Sequence, residues 1–295
     1  MADLVELLAA VDDCPASESG AFVVDGDGDG AVLGSVFVET SRVCWAAATG
    51  RSARLRDLLR QHAERALDDA ELDEVFARCR DEQRSLGAVL VERELVSDHG
   101  LRAALKQHTV ESLLAQCDGS DRAITWVPHR RHGYRARFTF PPIELLAAAG
   151  AELYPNEAAI AGRPIELALP AAQTAASFAI GDNDEAVAVR VASTAVIPVR
   201  DLLELGNWAA AALAVCNGFS PAVMARAVDR LTGSAALGWR SARRVVHAAV
   251  IEDPAALSGA IAELARRGHA AVLSSRLPVF DRPSEPTPPR SILGT

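Results

Sequence analysis

The residues that could perform nucleophilic or phosphoryl-transfer chemistry do not occur in the patterns that such chemistry requires. Lys106 is the only lysine of the chain, and it follows Leu105 where a phosphate-binding loop has a glycine. This excludes a P-loop and leaves Schiff-base chemistry to Lys106 alone. The chain has no H-E-x-x-H or G-x-S-x-G motif, and Ser220 precedes Pro221, which is typical of a helix N-cap.

The histidines also lack a spacing that is diagnostic of a site. His247 lies in the apolar run VVHAAVI, where we predict a hydrogen-bonded core histidine. His62, His108 and His129 have no carboxylate at a catalytic spacing. We therefore predict no catalytic residue, no metal site and no cofactor. An enzyme whose site assembles from distant parts of the chain stays open as an alternative, because catalytic triads form across a sequence.

The run DGDGDG at residues 25–30 could bind a cation or a phosphate, but its surroundings fit neither site. Residues 25, 27, 29 and 30 match the start of an EF-hand loop, yet the twelfth loop position is Val36 instead of glutamate. A dinucleotide fingerprint would need a glycine at Leu33 and a helix after it, whereas a strand-like run follows. We predict a flexible hairpin tip, with weak calcium binding as the alternative.

Charge and cysteine usage indicate a soluble cytoplasmic protein that does not bind nucleic acid. The net charge is −9, and residues 1–150 hold 25 Asp and Glu against 17 Lys and Arg. A nucleic-acid footprint would need a basic face, and the one basic cluster, at residues 129–137, is predicted to be a solvated hairpin loop. The five cysteines include no C-x-x-C pair, which favours reduced thiols. The start of the chain lacks the charge pattern of a signal peptide, and the longest apolar run, 208–216, is too short to span a membrane.

Hydrophobic periodicity predicts an α+β fold with two domains and a linker. For residues 1–150 it predicts a short helix (3–11), a three-strand meander (21–24, 32–38 and 42–46), further helical segments (55–62, 67–79 and 86–108) and a closing hairpin (123–127 with 134–140). Within residues 86–108, Ser97 is the predicted N-cap of the second of two helices that share an apolar face. Residues 151–165 contain Pro155, Gly162 and Pro164, which predicts an irregular linker.

Residues 166–280 are predicted to form a small α/β sandwich, followed by a disordered proline-rich tail at 281–295. The expected elements are a hairpin at 177–180 and 186–191, a buried helix at 202–216, a helix at 223–231, a strand at 243–251, a helix that begins at Asp253-Pro254 and a short strand at 270–273. The acidic cluster at residues 182–185 is predicted to be the tip of the hairpin.

The stretch LGAVLVERELVSDHGLRAAL resembles the helical module at the N-terminus of type II secretion and type IV pilus extension ATPases. Motifs of that family can bind cyclic di-GMP, so the resemblance implies a nucleotide site. The chain departs from the family motif at Ser85, at Glu94 and at His108, where the family has arginine, glycine and glutamine. The residues that the resemblance assigns to the site are Arg84, Leu86, Gly87, Leu90, Leu105 and His108.

Taken as a whole, residues 1–150 resemble the bacterial PATAN-type domain, on the pattern of a meander that ends in the alanine-rich run RVCWAAA, then helices, the L-G-x-x-L-V-E segment and a closing hairpin. The C-terminal part resembles roadblock and longin domains, which dimerise and regulate small GTPases. The resemblances imply a non-enzymatic signalling adaptor in motility, polarity or two-component output. Its expected partners are a response regulator, a small GTPase, a motility ATPase or a second copy of the chain. A cyclic di-GMP sensor and an enzyme with an unrecognised site are the alternatives.

Overall fold

In the computed structural model the chain has the predicted α+β fold class, and its described residues form two β-sheets with helices packed against them. The structure describes residues 2–26, 31–51, 54–82, 86–117, 122–166, 169, 172–214, 223–228, 234–266 and 270–273. The predicted disordered tail at residues 281–295 lies outside the described residues.

The first sheet contains the predicted meander, and a fourth strand extends it. The strands β1 (Ser19–Asp25), β2 (Val32–Glu39), β3 (Arg42–Ala48) and β4 (Ala123–Pro128) are arranged in the order β3-β2-β1-β4, and all neighbours are antiparallel. Thr40 and Ser41 connect β2 to β3 with φ angles of 54° and 55°. Positive φ at both central residues is the geometry that matches the twist of a two-residue hairpin. Helix α1 (Ala2–Asp12) and one face of this sheet contribute to the main hydrophobic core.

Four helices follow the meander where periodicity predicts them: α2 (Arg54–Gln61), α3 (Asp69–Asp81), α4 (Leu86–Glu92) and α5 (Asp98–Gln116). The side chains of Asp68 and Ser97 accept hydrogen bonds from the backbone N–H groups of Glu71 and Gly100, which caps α3 and α5. The apolar faces of the four helices meet in a second, smaller core. Helix α5 contributes to both cores and fixes this helical unit to the sheet.

The predicted closing hairpin is wrong. Strand β4 forms, but its partner is β1, and residues 134–140 contain a short 3-10 helix (Ala136–Phe138) instead of a strand. Within this segment only Phe140 pairs its backbone with that of a strand, by exchanging hydrogen bonds of 3.0 and 2.8 Å with Val43 at the outer edge of β3. The arginine-rich residues between β4 and Phe140 have no apolar alternation to bury, so the pairing of β4 was decided by the core instead of by the nearest segment.

The second sheet contains six strands: β5 (Thr174–Ile180), β6 (Ala186–Ser193), β7 (Val223–Val228), β8 (Ala235–Ala242), β9 (Val245–Ile251) and β10 (Ala270–Leu273). Their order is β10-β7-β8-β9-β5-β6, and only the β10-β7 pair is parallel. The hairpin β5-β6, strand β9 and strand β10 confirm the sequence predictions. Strand β8 was not predicted, because its alanine and glycine residues produce little hydrophobic alternation.

The helix predicted at residues 223–231 is wrong, because residues 223–228 form β7 and pair with β8. The run VMARAV is short, and its apolar residues are compatible with either period. Hydrogen bonding to β8 on one side and to β10 on the other therefore decided its conformation. The predicted N-cap, Ser220, lies outside the described residues.

The predicted linker is helical. Helix α6 (Pro142–Leu153) continues into it, and α7 (Pro155–Glu166) follows after one residue. Pro155 was interpreted as a helix breaker, but proline is well suited to the first turn of a helix, where its missing N–H needs no partner. Gly150 of α6 lies so close to β6 that a Cβ atom there would be 1.9 Å from the Ala188 carbonyl oxygen.

Helix α8 (Val199–Ala214) packs one face against the second sheet, with Leu202, Leu205 and Ala209 buried. Its opposite face is exposed, including Glu204 and Ala211, so the prediction that this helix is buried almost all round is wrong. Residues of α1, α6, α8 and both sheets belong to one continuous core. The last helix, α9 (Pro254–Arg266), begins as predicted, with the Asp253 carboxylate accepting from the Ala255 amide.

Candidate functional site

The residues that the family resemblance assigns to nucleotide binding mostly build the smaller core. Leu90 is fully buried, and Leu86 and Leu105 pack against the same cluster. A Cβ atom at Gly87 would lie 2.9 Å from the Leu101 side chain, so the glycine allows α4 to approach α5. Packing explains all four residues. Arg84 lies outside the described residues, and whether the segment binds a nucleotide stays a prediction.

His108 does not belong to that cluster and contacts the first sheet instead. Its imidazole ring stacks on the Trp45 indole of β3, with 4.5 Å between the ring centroids and 15° between the planes. Burial lowers the pKa of His108, and the nearby Glu111 carboxylate opposes this effect. The ring is therefore neutral at physiological pH. Its Nδ1 atom has no hydrogen-bond partner among the described residues.

Beside this ring pair lies a cavity of about 620 Å³, which we call the His108 pocket. Strand β3, the residues that lead into α2, helix α3 and helix α5 all contribute to its wall. The lining residues are Trp45, Ala47, Ala48, Arg51, Leu55, Arg56, Phe76 and His108. They come from four separate segments, so no sequence motif could have identified the pocket.

A second feature is the outer edge of the first sheet, formed by β4. His129 donates its backbone N–H to the Ser19 carbonyl oxygen at 3.0 Å, and the β1-β4 register pairs these strands residue by residue. In an antiparallel pair the inward-bonded residues alternate. The inward set is therefore residues 123, 125, 127 and 129, which leaves the backbone groups of Ile124 and Trp126 directed away from β1. No other strand among the described residues pairs with them.

Residues 129–137, the basic segment, continue from this edge, and the Glu39 carboxylate anchors their backbone. The Glu39 side chain is only 4% exposed, and it accepts hydrogen bonds from three consecutive amides, of His132, Gly133 and Tyr134, at 2.5, 3.1 and 3.3 Å. Gly133 has a φ of 71°, a backbone conformation that glycine adopts without strain. The prediction that these residues are solvent-exposed is correct, but they belong to an anchored loop and not to a hairpin.

Aromatic contacts continue the anchoring of the basic segment. The rings of Phe37, His129, His132 and Tyr134 follow one another at centroid distances of 5.6, 5.3 and 5.9 Å. Arg131 lies 3.9 Å from the Glu39 carboxylate and Arg137 bonds the Asp98 carboxylate, whereas the exposed Arg130 and Arg135 make no ion pair with the described residues. The result is a fixed backbone that presents positive charge at the end of the free strand edge.

The remaining candidates have structural roles. His247 is fully buried and bonds Ser177 and Ser241 through its two ring nitrogens at 2.8 and 2.7 Å, which confirms the predicted core histidine. Residues 182–185 form the tip of the β5-β6 hairpin, where Asp182 pairs with Arg244 at 2.9 Å. Within the described part of the chain, no group of three or more histidine, cysteine, aspartate or glutamate residues is arranged to hold a metal ion. Residues 27–30 of the Asp-Gly run lie outside it.

The cysteines of the described chain form no disulfide with one another. Cys14 and Cys44 are buried, Cys79 and Cys117 are partly buried, and Cys216 lies outside the described residues. Burial raises the pKa of Cys44 to about 12 and that of Cys117 to about 11. Because the thiolate is the reactive form, these two thiols are unreactive at neutral pH.

Comparison with known proteins adds no relative: a scan against family models, a search of curated sequences and a search of solved structures each found no match to this chain. Among the helices of the described residues, none is both long enough and apolar enough to cross a membrane.

Proposed function

We propose that this protein is a non-enzymatic cytoplasmic adaptor that binds an extended, acidic segment of a partner protein along the free edge of β4. The observation that carries the proposal is the combination of an unpaired strand edge with an anchored basic segment that follows it directly. Response regulators, small GTPases and motility ATPases are the partner classes that we expect.

The edge has the features of a strand that accepts another strand. Natural proteins usually protect edge strands with charged residues, and β4 has none between Ala123 and Pro128. Thr125 and Val127 are exposed on it, and the Val127 side chain is 46% exposed. Strand addition to such an edge supplies main-chain hydrogen bonds, and neighbouring side chains supply specificity. Pro128 lacks an N–H on the free side, which limits the pairing to a short segment.

Charge supports an acidic partner segment. The chain carries a net charge of −9, yet residues 129–137 contain four arginines, two histidines and no carboxylate. An acidic segment would be repelled by most of this surface and attracted to the end of β4. Electrostatic complementarity of this kind increases the association rate and selects between partners.

Peptide selection tests the proposal and does not require the partner to be identified. We would pan a random-peptide phage library against the immobilised full chain and sequence the enriched clones. We expect peptides that combine β-branched residues with Asp or Glu. The affinity of one such peptide, measured by fluorescence anisotropy, should fall at least tenfold in Arg130→Glu and as the salt concentration rises. The matched control is Arg243→Glu, an exposed arginine of the second sheet, which should bind normally.

Backbone pairing can be tested on the peptide, which leaves the protein unchanged. N-methylation of alternate peptide residues should abolish binding in one of the two registers and have little effect in the other. Equal effects in both registers, or selection of basic or helical peptides, would contradict the proposal. Sedimentation equilibrium of the chain alone distinguishes a second copy as the occupant, since a dimer dissociated by Thr125→Lys would show that β4 pairs with itself.

A further inference from the structure

We infer that the His108 pocket is a second binding site, independent of the β4 edge, for a planar aromatic molecule that carries one negative charge. The pocket volume of about 620 Å³ lies within the range of small-molecule sites. Its two arginines, Arg51 and Arg56, lie just before α2 and within α2, and the aromatic side chains of Trp45 and Phe76 come from β3 and α3.

The aromatic part of the ligand would contact Trp45 and Phe76. Both side chains are only partly buried, although each borders a well-packed core. The Trp45 indole stacks on the His108 ring, which fixes its plane. The Arg56 guanidinium lies over the Phe76 ring, 5.0 Å from its centroid, and so adds a second flat surface to the wall. Such surfaces favour the offset stacking of another aromatic ring.

The charge of the ligand follows from which arginine has no hydrogen-bonded carboxylate among the described residues. Arg54, near the pocket, is bound by the Glu111 carboxylate through two hydrogen bonds of 2.7 and 2.8 Å. Arg56 is paired with Asp73 at 2.6 Å. Arg51 lines the pocket and makes no side-chain hydrogen bond or ion pair with the residues that the structure describes. Arg51 acts on the Glu111 carboxylate at longer range, but that carboxylate already accepts two hydrogen bonds from Arg54. The Arg51 guanidinium therefore matches a single carboxylate or sulfonate.

His108 contributes an uncharged aromatic ring, stacked on Trp45, to the pocket wall. It is 3% exposed, and its Nδ1 atom is without a hydrogen-bond partner in the described chain. That atom is inaccessible to solvent, so a molecule in the pocket would meet the edge of the stacked ring and not Nδ1. The neutral ring does not attract a second anionic group.

Isothermal titration of the full chain with three probes of one shape tests the inference. The probes are naphthalene-2-sulfonate, its neutral sulfonamide and the cationic naphthalene-2-methylamine. We expect the sulfonate to bind, and the other two to bind at least tenfold more weakly. Arg51→Gln should weaken binding of the sulfonate about tenfold, whereas Arg200→Gln, an exposed arginine of α8, should leave it unchanged.

Fluorine NMR with 5-fluorotryptophan locates the bound probe, because the chain has four tryptophans and Trp45→Phe assigns one resonance. The Trp45 resonance should shift on titration, while that of Trp126 on β4 should not. Equal binding of the three probes, an unchanged affinity in Arg51→Gln, or a shift confined to another tryptophan would each overturn the inference. Peptide binding at β4 should be unaffected by Arg51→Gln, so the two proposals can fail separately.

Discussion

The junction between α1 and α8 predicts that the protein is destabilised by one of its own carboxylates at neutral pH. Asp12, the last residue of α1, accepts a hydrogen bond of 2.7 Å from the Val199 amide at the start of α8. Burial raises the pKa of Asp12 from 3.8 to about 6; the Val199 hydrogen bond opposes this effect, and the neighbouring Asp13 and Asp201 add to it. The folded state therefore holds a proton on Asp12 more tightly than the unfolded state does.

The sign and size of the effect follow by linkage. Between pH 3.8 and about 6 the folded state binds more protons, so the contribution of Asp12 to stability falls as the pH rises through this range. A change from 3.8 to about 6 corresponds to about 3 kcal/mol above pH 6. Because Asp12 is only partly buried, solvent screening reduces the effect, and we expect about 1–2 kcal/mol.

Asp12→Asn tests this argument, since the amide keeps an oxygen acceptor for Val199 and removes the charge. We expect the free energy of unfolding, from urea titrations followed by circular dichroism, to be about 1–2 kcal/mol higher in the variant above pH 6.5. The difference should shrink towards zero as the pH approaches 4. Asp13→Asn, at an exposed neighbour, is the control and should change stability much less. A variant that is less stable at pH 7, or a difference that does not vary with pH, would refute the reasoning.

Three further predictions concern the anchored loop, the shared core and the helical motif. Glu39→Ala removes the carboxylate that accepts hydrogen bonds from three amides, and it should lower the free energy of unfolding by about 1–3 kcal/mol. The specific sign is faster amide hydrogen exchange at residues 132–134. Exchange as slow as in the wild type would contradict the anchoring role. Gly150→Ala forces a Cβ atom against the Ala188 carbonyl and should cost about 1–3 kcal/mol in urea titrations, whereas Gly259→Ala, with open space around it in α9, should be neutral or stabilising. If the helical motif binds cyclic di-GMP, saturation at about a hundred times Kd should add about 2.7 kcal/mol of stability, and Arg84→Ala should abolish the resulting rise in Tm; a flat response would end that alternative.

Sequence reasoning succeeded where an element depends on residues within one or two turns of one another. The N-cap Ser97 and the helix start at Asp253 are local chemistry, and the structure contains both where they were predicted. The meander and the β5-β6 hairpin pair segments that are close in sequence, so turn residues and alternation sufficed to predict them.

The incorrect predictions concern elements whose conformation depends on distant parts of the chain or on the position of a residue within a helix. Strand β4 pairs with β1, about a hundred residues earlier, and β7 is a strand because β8 and β10 flank it. Such non-local pairings depend on which apolar faces can be buried together, and no local pattern reports that. The predicted linker failed because Pro155 was given its interior role as a helix breaker although it stands in the first turn of α7.

The two candidate sites divide in the same way. The positive charge of residues 129–137 and the absence of known catalytic motifs are properties of the sequence alone, as is the apolar skeleton of the helical motif. Only the tertiary structure shows that this basic segment follows a free strand edge and that Glu39 anchors its backbone. The carboxylate and the three amides that it accepts from are distant in sequence and come together only on folding. It also brought Trp45, Arg51, Phe76 and His108 to one cavity. Local sequence determines which helices and turns can form, but packing between distant segments determines which surfaces remain unpaired and able to bind.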